Sequence, residues 1–530
     1  MGDSIRDFAW WQTGIIYQIY PRSFMDSDGD GTGDLPGVIS KLDYLQWLGV
    51  EGVWVSPFFR SPMADFGYDV SDYCDIEPIF GTMADFDRLV EETHRRGLKL
   101  ILDFVPNHTS EQHPWFVESS SSRDNPKRDW YIWRDAKPDG EPPNNWVSHF
   151  GGIAWEWHEP TGQYYLRSFL KQQPDLNWRN PEVIEAMLGV LRFWLEKGVD
   201  GFRVDVMWET IKDEQLRDNP PNPSYQEGKT HPYFKVFPLY NHDQPETHEI
   251  ISRMRRLLEE YPGDRVLIGE IYLPIDRLVT YYGTNGNGAH MPFNFHLLLH
   301  KWEARRIASV IDEYEAALPP HGWPNWVLGN HDRPRVASRV GRPQARVAAM
   351  LLLTLRGTPT LYQGEEIGME DVEIPPERAV DPPQAYGIGR DPERTPMQWV
   401  PGSNAGFTTG EPWLPLAPDY DVYNVESEQA EPGSFLNLHK RLIDLRQQEM
   451  ALQVGTYLPI PAQGDILAYE REYKGDRFIV ALNFGSEAQT LAMPRLSGVI
   501  EVSTHMDLNG ENVSGVIELR ADEGVVVRVG

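Results

Sequence analysis

Short apolar runs alternate with longer amphipathic segments along the first 450 residues of this chain. The apolar runs predict strands at 15–20, 52–55, 98–104, 201–205, 265–270, 289–293, 326–329 and 358–362. Apolar residues with helical spacing predict helices at 38–48, 86–96, 181–197, 248–260 and 434–448. Strands that alternate with helices pack as parallel strands joined by crossovers. Eight of them predict an α/β fold, a closed (β/α)₈ TIM barrel.

Three stretches depart from this alternation. Residues 105–175 are rich in Pro, Trp, Asn and Ser and are too long for an ordinary barrel connection, so we expect a subdomain inserted after the third strand, over the site. Residues 218–245 form a second, Pro-rich excursion, and 371–421 form a Pro- and Gly-rich loop. Short strands from about residue 453 predict a C-terminal all-β sandwich domain. The predicted divisions are 1–104 and 176–452 for the barrel, 105–175 for the insertion and 453–530 for the C-terminal domain.

Composition narrows the possible partners. With 79 acidic and 49 basic residues the net charge is −30, which opposes binding to phosphate backbones or anionic lipid. We therefore expect no nucleic-acid or membrane partner. The single cysteine, Cys74, fits a reducing cytoplasm. Because residues 1–14 lack an apolar signal core and no long apolar span occurs, we expect a soluble cytoplasmic monomer or homodimer.

Charged and polar side chains stand at the ends of four predicted strands. They are Asp103 to His108 after the third strand, Arg203 and Asp205 on the fourth, Glu270 on the fifth, and Asn330-His331-Asp332 after the seventh. A lone Asp after a strand more often caps a helix, but capping calls for no His or Arg at a fixed offset. Since the carboxyl ends of barrel strands meet at one face, we expect these groups to form one site.

Three carboxylates on strand ends suit cleavage of a glycosidic bond through an oxocarbenium-like transition state. Asp205 is the better nucleophile because Arg203, on the same strand face, should keep it ionised. Glu270 would donate the proton, since neighbouring carboxylates favour its protonated form, and Asp332 would stabilise charge. A catalytic zinc or magnesium centre uses the same ligand types, but the charge of Arg203 disfavours it.

Alternate acidic residues separated by glycine follow the first strand. The candidate ligands are Asp26, Asp28, Asp30, Thr32 and Asp34. This spacing is typical of calcium loops, although the final Glu of the helix-loop-helix kind is missing. A solvated acidic turn is the alternative. We expect a structural Ca²⁺ ion here, with Mg²⁺ possible on the same oxygen ligands.

Five ordered motifs resemble the signature regions of the α-amylase family of glycoside hydrolases. They are Asp-Phe-Val-Pro-Asn-His at 103–108, Gln-Pro-Asp-Leu-Asn at 173–177, Gly-Phe-Arg-Val-Asp at 201–205, Ile-Gly-Glu at 268–270 and Asn-His-Asp at 330–332. Together they extend the resemblance over essentially the whole chain. The stretches 14–24, 65–69 and 389–399 are similar to the α-glucosidase and oligo-1,6-glucosidase branch.

The resemblance implies a role for each site residue. Asp205 would be the nucleophile, Glu270 the acid/base and Asp332 the transition-state stabiliser. Asp65 and Arg390 would hold the terminal glucose. Tyr68 would stack under its ring. The surrounding residues would be His108, Phe150, Arg203 and His331. In the acidic loop the side chains of Asp26, Asp28, Asp30 and Asp34 and the carbonyl of Thr32 would bind the metal, with Asp28 standing where relatives often have Asn.

The expected activity is that of an exo-acting retaining α-glucosidase. It would hydrolyse, and transfer, terminal non-reducing glucose from maltose, isomaltose, sucrose or related oligosaccharides through a covalent glucosyl-Asp intermediate. A sucrose or trehalulose-type isomerase, a dedicated α-glucosyltransferase and a non-enzymatic transporter-associated chain are the alternatives. The excursion 218–245 matches no family pattern, and we expect it to shape the leaving-group sites. The resemblance also implies that Val206 favours α-1,6 bonds, because branch members with Val there tend to accept α-1,6 bonds and those with Thr tend to favour α-1,4.

Overall fold

The computed structural model describes residues 8–382 and 389–530. Residues 1–7 of the N-terminal stretch and 383–388 of the loop 371–421 lie outside the described residues. Within the described ranges, no helix combines the length and the apolar character that a membrane crossing requires.

Eight parallel strands form the barrel. They are β1 (Ile16–Ile19), β2 (Gly52–Val55), β3 (Lys99–Phe104), β4 (Gly201–Val204), β5 (Val266–Gly269), β6 (Met291–Pro292), β7 (Asn325–Val327) and β8 (Thr358–Tyr362). The sheet order is β6-β5-β4-β3-β2-β1-β8-β7, which confirms the barrel predicted from the sequence. These strands are almost entirely buried, as expected for strands covered on both faces.

The barrel is joined between β6 and β7, the two ends of the sheet order, by a side chain. Asn325 Nδ2 donates to the carbonyl of Pro292 at 2.6 Å, and Asn325 Oδ1 accepts from the N–H of Asn294 at 2.9 Å. The amide thus pairs with main-chain groups that a strand partner would otherwise satisfy.

The register of β3, β4 and β5 aligns the groups that follow them. Arg203 pairs with Asp103 on one side and with Ile268 on the other, and Val204 pairs with Gly269. The next residues on β4 and β5 are Asp205 and Glu270, so neighbouring strands present them side by side.

Helices cover the barrel. The longer ones are Met83–Arg95, Pro181–Glu196, Thr247–Glu259, Ala304–Ala317, Arg342–Thr354 and Phe435–Gln448. The shorter ones are Trp10–Thr13, Leu35–Ser40, Leu42–Leu48, Pro114–Ser121, Ile275–Leu278, His296–Leu299, Val336–Val340, Val425–Ala430 and Met450–Gln453. The predicted helix at 38–48 is therefore two helices, separated at Lys41, where ψ is 2°.

A three-stranded antiparallel sheet lies within residues 105–175. Its strands are Trp133–Arg134, Gln163–Leu166 and Trp155–His158. The excursion 218–245 is tied to this region because Asn145 Nδ2 donates to Asn219 O at 2.9 Å and Asn145 Oδ1 accepts from Asn219 N at 2.7 Å. The inserted region 105–175 and the excursion 218–245 therefore contact each other. The exact domain boundaries stay predictions.

The C-terminal region is one antiparallel sheet of six strands. They are β9 (Thr456–Ile460), β10 (Ile466–Tyr473), β11 (Asp476–Asn483), β12 (Gln489–Ser503), β13 (Asn512–Leu519) and β14 (Gly524–Val529), in the order β9-β10-β11-β14-β12-β13. Alternate residues of β11 point to opposite faces. Phe478 and Val480 join the core shared with the barrel, whereas Ile479 and Ala481 belong to a separate core on the other face.

Candidate active site

Arg203 is the centre of the site at the carboxyl ends of β3, β4 and β5. Its guanidinium is fully buried. Nη1 donates to Asp103 Oδ1 and to Asp205 Oδ1, both at 2.8 Å, and Nη2 lies 2.8 Å from Glu270 Oε2. The structure thus brings the predicted Asp205 and Glu270 onto one planar group.

Each of these two carboxylates keeps one oxygen free of Arg203. Glu270 Oε2 also accepts the main-chain N–H of Val206 at 2.9 Å, so an acidic proton on Glu270 belongs on Oε1. Asp205 Oδ1 is occupied, which leaves Oδ2 for chemistry. Val206 has φ 36°, a left-handed conformation that is a marked outlier for a β-branched residue, and its N–H is directed at Glu270 in this conformation.

The charges of this cluster do not cancel. Burial raises the pKa of Asp205, Arg203 opposes that rise, and the charges of Glu270 and Asp103 add to it, so the pKa stays well above its usual range. The prediction that Arg203 alone keeps Asp205 ionised is therefore incomplete. One guanidinium faces three buried carboxylates, and such a cluster retains a proton more strongly than isolated acids do.

Asp332 has a different environment. Its Oδ1 accepts from Arg394 Nη2 at 2.8 Å and from Arg390 Nη1 at 3.2 Å, and its Oδ2 lies 3.2 Å from His331 Nε2. Burial alone would raise its pKa, but the contact with His331 and the charges of the two guanidiniums outweigh burial and hold the pKa far below its usual range. Its side chain is 25% exposed, against 9% for Asp205, so this anion lies nearer the entrance.

Asp65 and Arg390 form a buried ion pair beside Asp332. Arg390 Nη2 donates to Asp65 Oδ1 at 2.6 Å, while Asp65 Oδ2 accepts from Gln173 Nε2 at 3.0 Å. Gln173 Nε2 also lies 3.1 Å from His108 Nε2. The Arg390 guanidinium lies 5.2 Å from the ring centroid of Phe150. Four of the predicted substrate-binding residues are therefore connected through Arg390 and Gln173.

Tyr68 and His331 connect the two sets of charges. Their rings stack at 5.4 Å with an interplanar angle of 5°, and Tyr68 Oη lies 2.7 Å from His331 Nε2. Tyr68 Oη donates to Asp103 Oδ2 at 3.1 Å. Burial lowers the pKa of His331 to about 3, so the imidazole is neutral near pH 7. Because Tyr68 contacts Asp103 and His331 together, it couples the Arg203 cluster to Asp332.

The sequence reasoning missed three residues that hold this arrangement. Gln173 lies in a recognised motif without an assigned role, and Arg394 lies four residues after Arg390 in the stretch 389–399. Both could have been proposed from these motifs. Asp381, which accepts from Arg390, precedes two prolines in an irregular loop and carries no such signal.

Three residues of the acidic loop could hold a metal ion. Asp26, Asp28 and Asp34 each offer a carboxylate oxygen, and these oxygens lie within 4.8 Å of one another. Hard oxygen donors of this kind suit Ca²⁺ or Mg²⁺. Asp30 lies outside this group, and its Oδ1 accepts the N–H of Thr32 at 2.7 Å.

Comparison with known proteins agrees with this geometry. The family model of the α-amylase catalytic domain matches residues 18–455. A probable α-glucosidase of Rhizobium meliloti (strain 1021) and an oligo-1,6-glucosidase of Parageobacillus thermoglucosidasius are each 42% identical over 92% of this chain and 92% of their own length. The crystal structure of the α-glucosyl transfer enzyme XgtA has a TM-score of 0.93 and 41% identity, covering 99% of this chain and 100% of that one. With this fold, this cluster of carboxylates and these relatives, the chain belongs to the α-amylase family of glycoside hydrolases.

Proposed function

We propose that this protein is an exo-acting retaining α-glucosidase that acts on short α-glucosides. The observation that carries the proposal is the arrangement of Asp205 and Glu270 on Arg203, because a retaining glycosidase needs a nucleophile and an acid on closely spaced carboxyl groups, about 5–5.5 Å apart. The relatives described above, which are named a probable α-glucosidase, an oligo-1,6-glucosidase and an α-glucosyl transfer enzyme, support the proposal.

The exo-acting mode is supported by the Asp65–Arg390 pair. Both side chains are buried, and together they offer hydrogen-bond donors and acceptors to the hydroxyls of a terminal glucose. If a terminal glucose binds to these two side chains, the ion pair closes the pocket at the non-reducing end of the sugar. We therefore propose that the enzyme removes one glucose at a time from that end.

In the first step Asp205 Oδ2 attacks C1 of the terminal glucose while the bond from C1 to the leaving oxygen breaks. Glu270 gives its Oε1 proton to that oxygen, so the aglycone leaves as a neutral alcohol and a glucosyl ester of Asp205 remains. Positive charge develops on the sugar ring in the transition state. The ionised Asp332 stabilises that charge because its own pKa is so low.

In the second step Glu270, now a carboxylate, takes a proton from an incoming water or sugar hydroxyl. The oxygen attacks C1, the ester bond to Asp205 breaks, and Glu270 regains its proton. Two inversions at C1 leave the α configuration.

Glucosyl transfer is the second candidate activity. The high similarity to the α-glucosyl transfer enzyme XgtA favours it. Both activities share the glucosyl-Asp205 intermediate and differ in whether water or an acceptor hydroxyl reaches C1 first. Product analysis with sucrose separates both from an isomerase, which would return an isomer of sucrose rather than glucose and fructose.

We also propose a structural Ca²⁺ or Mg²⁺ ion on Asp26, Asp28 and Asp34, with Asp30 and the Thr32 carbonyl as the further ligands that the family resemblance implies. A divalent cation there would neutralise closely spaced carboxylates and stabilise the loop between β1 and Leu35–Ser40. None of these residues belongs to the catalytic cluster.

Replacing the proposed nucleophile tests the proposed chemistry. Asp205→Asn should fold and lose more than about 100-fold of its activity, because an amide cannot form the glucosyl ester. Glucose release from maltose and isomaltose measures this. Asp213→Asn removes a carboxylate paired with Arg217 on the same segment and should stay close to wild type. An Asp205→Asn enzyme with more than about a hundredth of wild-type turnover would contradict the assignment.

Linkage preference should respond to Val206. Val and Thr have nearly the same shape, but a hydroxyl at this position would offer the aglycone a hydrogen bond. We expect the wild type to cleave both maltose and isomaltose. Val206→Thr should raise the maltose-to-isomaltose ratio of kcat/KM, by a factor that corresponds to at most about 1–3 kcal/mol of activation free energy. If the ratio does not move, or if the wild type ignores isomaltose, the excursion 218–245 sets the linkage instead.

Chelation should lower the melting temperature and leave the initial rate at room temperature nearly unchanged. An ion that binds only the folded state adds about 2.7 kcal/mol when its concentration is 100 times Kd. Differential scanning calorimetry with and without chelator measures the shift, and Ca²⁺ should reverse it. Asp26→Asn, which removes one of the three clustered carboxylates, should be less sensitive to chelator. Identical melting temperatures, together with no bound metal by elemental analysis, would refute the proposed ion.

A further inference from the structure

We infer that Asp381 is a positioning residue of the active site, which holds Arg390 in the orientation that serves Asp65 and Asp332 together. The inference rests on the proposed function, because it assigns Arg390 to substrate binding. Asp381 lies on the loop after β8, far in sequence from the strands that carry the proposed catalytic groups.

The Asp381 carboxylate binds one edge of the Arg390 guanidinium through two hydrogen bonds. Nε donates to Asp381 Oδ2 at 3.0 Å and Nη2 donates to Asp381 Oδ1 at 2.7 Å. The main-chain N–H of Arg390 also donates to Asp381 Oδ2, at 2.8 Å. A two-point contact of this kind fixes both the position and the plane of a guanidinium, which a single hydrogen bond does not.

The outer edge of the same guanidinium faces the site. Nη2 reaches Asp65 Oδ1 at 2.6 Å, and Nη1 reaches Asp332 Oδ1 at 3.2 Å. Because the group is planar and rigid, fixing its inner edge on Asp381 determines where both outer contacts fall. The position of Arg390 between the proposed glucose-binding Asp65 and the proposed stabiliser Asp332 thus depends on Asp381.

Asp381 cannot act on substrate directly. Its side chain is fully buried, and its own backbone is held by Asp391, whose Oδ2 accepts the N–H groups of Val380 and Asp381 at 2.8 and 3.1 Å. Its carboxylate is already engaged by Arg390 through both oxygens. Any effect on the reaction must therefore pass through the guanidiniums beside it, chiefly Arg390, which it binds at two points, and more weakly Arg394, whose Nη1 lies 3.8 Å from Asp381 Oδ1.

The charge of Asp381 matters as well as its shape. Asp65, Asp332 and Asp381 surround two guanidiniums, Arg390 and Arg394, so the set carries one net negative charge when all are ionised. Without the Asp381 charge, Arg390 and Arg394 would neutralise more of the negative charge of Asp332. Asp332 would then stabilise the positive sugar ring less well.

A double-mutant cycle tests this role. Asp381→Asn removes the charge and one acceptor at constant size, and we expect kcat/KM for maltose or isomaltose to fall about 10- to 100-fold, with a rise in KM and a fall in kcat. In an Arg390→Ala background, Asp381→Asn should cause less than about a threefold further loss, since the residue it positions is gone. Asp381→Glu, which keeps the charge, should recover part of the loss.

Asp419→Asn is the matched control. Asp419 lies on the same loop as Asp381 and pairs with Arg342 of the helix Arg342–Thr354, a pair that binds none of the proposed site residues, so this variant should leave kcat/KM near wild type. Circular dichroism and melting curves identify any variant that fails to fold, and in that case Asp381→Glu and its own cycle with Arg390→Ala decide the matter.

The outcomes separate this inference from the proposed function. Fully additive losses in the cycle, or an Asp381→Asn enzyme within twofold of wild type, would overturn the role of Asp381 while α-glucoside cleavage stands. A wild-type protein that cleaves no α-glucoside would overturn the proposed function, and the inference about Asp381 would fall with it.

Discussion

The site depends on a buried guanidinium. Arg203 is removed from water, and a charge in that position is tolerated only if anions compensate it at close range. Asp103, Asp205 and Glu270 supply that compensation from the ends of three adjacent strands. The register of β3, β4 and β5 places these carboxylates next to Arg203. The stability of the fold and the proposed chemistry therefore both require them at these positions.

A second set of charges, around Arg390 and Arg394, complements the first. Burial raises the pKa of Asp205, and because the Arg203 cluster contains more carboxylates than cations, its charges do not offset that rise. In the second set, two guanidiniums converge on Asp332 and lower its pKa. Tyr68 and the neutral His331 connect the two sets. Three carboxylates thus share one cation at Arg203, whereas two cations hold Asp332 as an anion, which the stabilisation of positive charge in the transition state requires.

Much of this was predictable from sequence, for a physical reason. Barrel strands are buried on both faces, so β2 and β5 appear as continuous apolar runs, and Glu270 follows the second of them directly. The parts that were not predictable lie in irregular loops. Asp381 is held by hydrogen bonds to a loop that no periodicity describes, and the break at Lys41 depends on a local backbone conformation inside an otherwise helical pattern. The net effect of burial on Asp205 also needed the three-dimensional arrangement, because Arg203 is shared among three carboxylates.

The stereochemistry of the first product tests the account most directly. A covalent bond between C1 and Asp205 entails two inversions at that carbon. Proton NMR of the anomeric region during the first minutes of isomaltose or maltose cleavage distinguishes α-glucose from β-glucose before mutarotation mixes them. We expect α-glucose to appear first. Initial release of β-glucose would mean a single displacement by water, and would contradict the role of Asp205 as nucleophile.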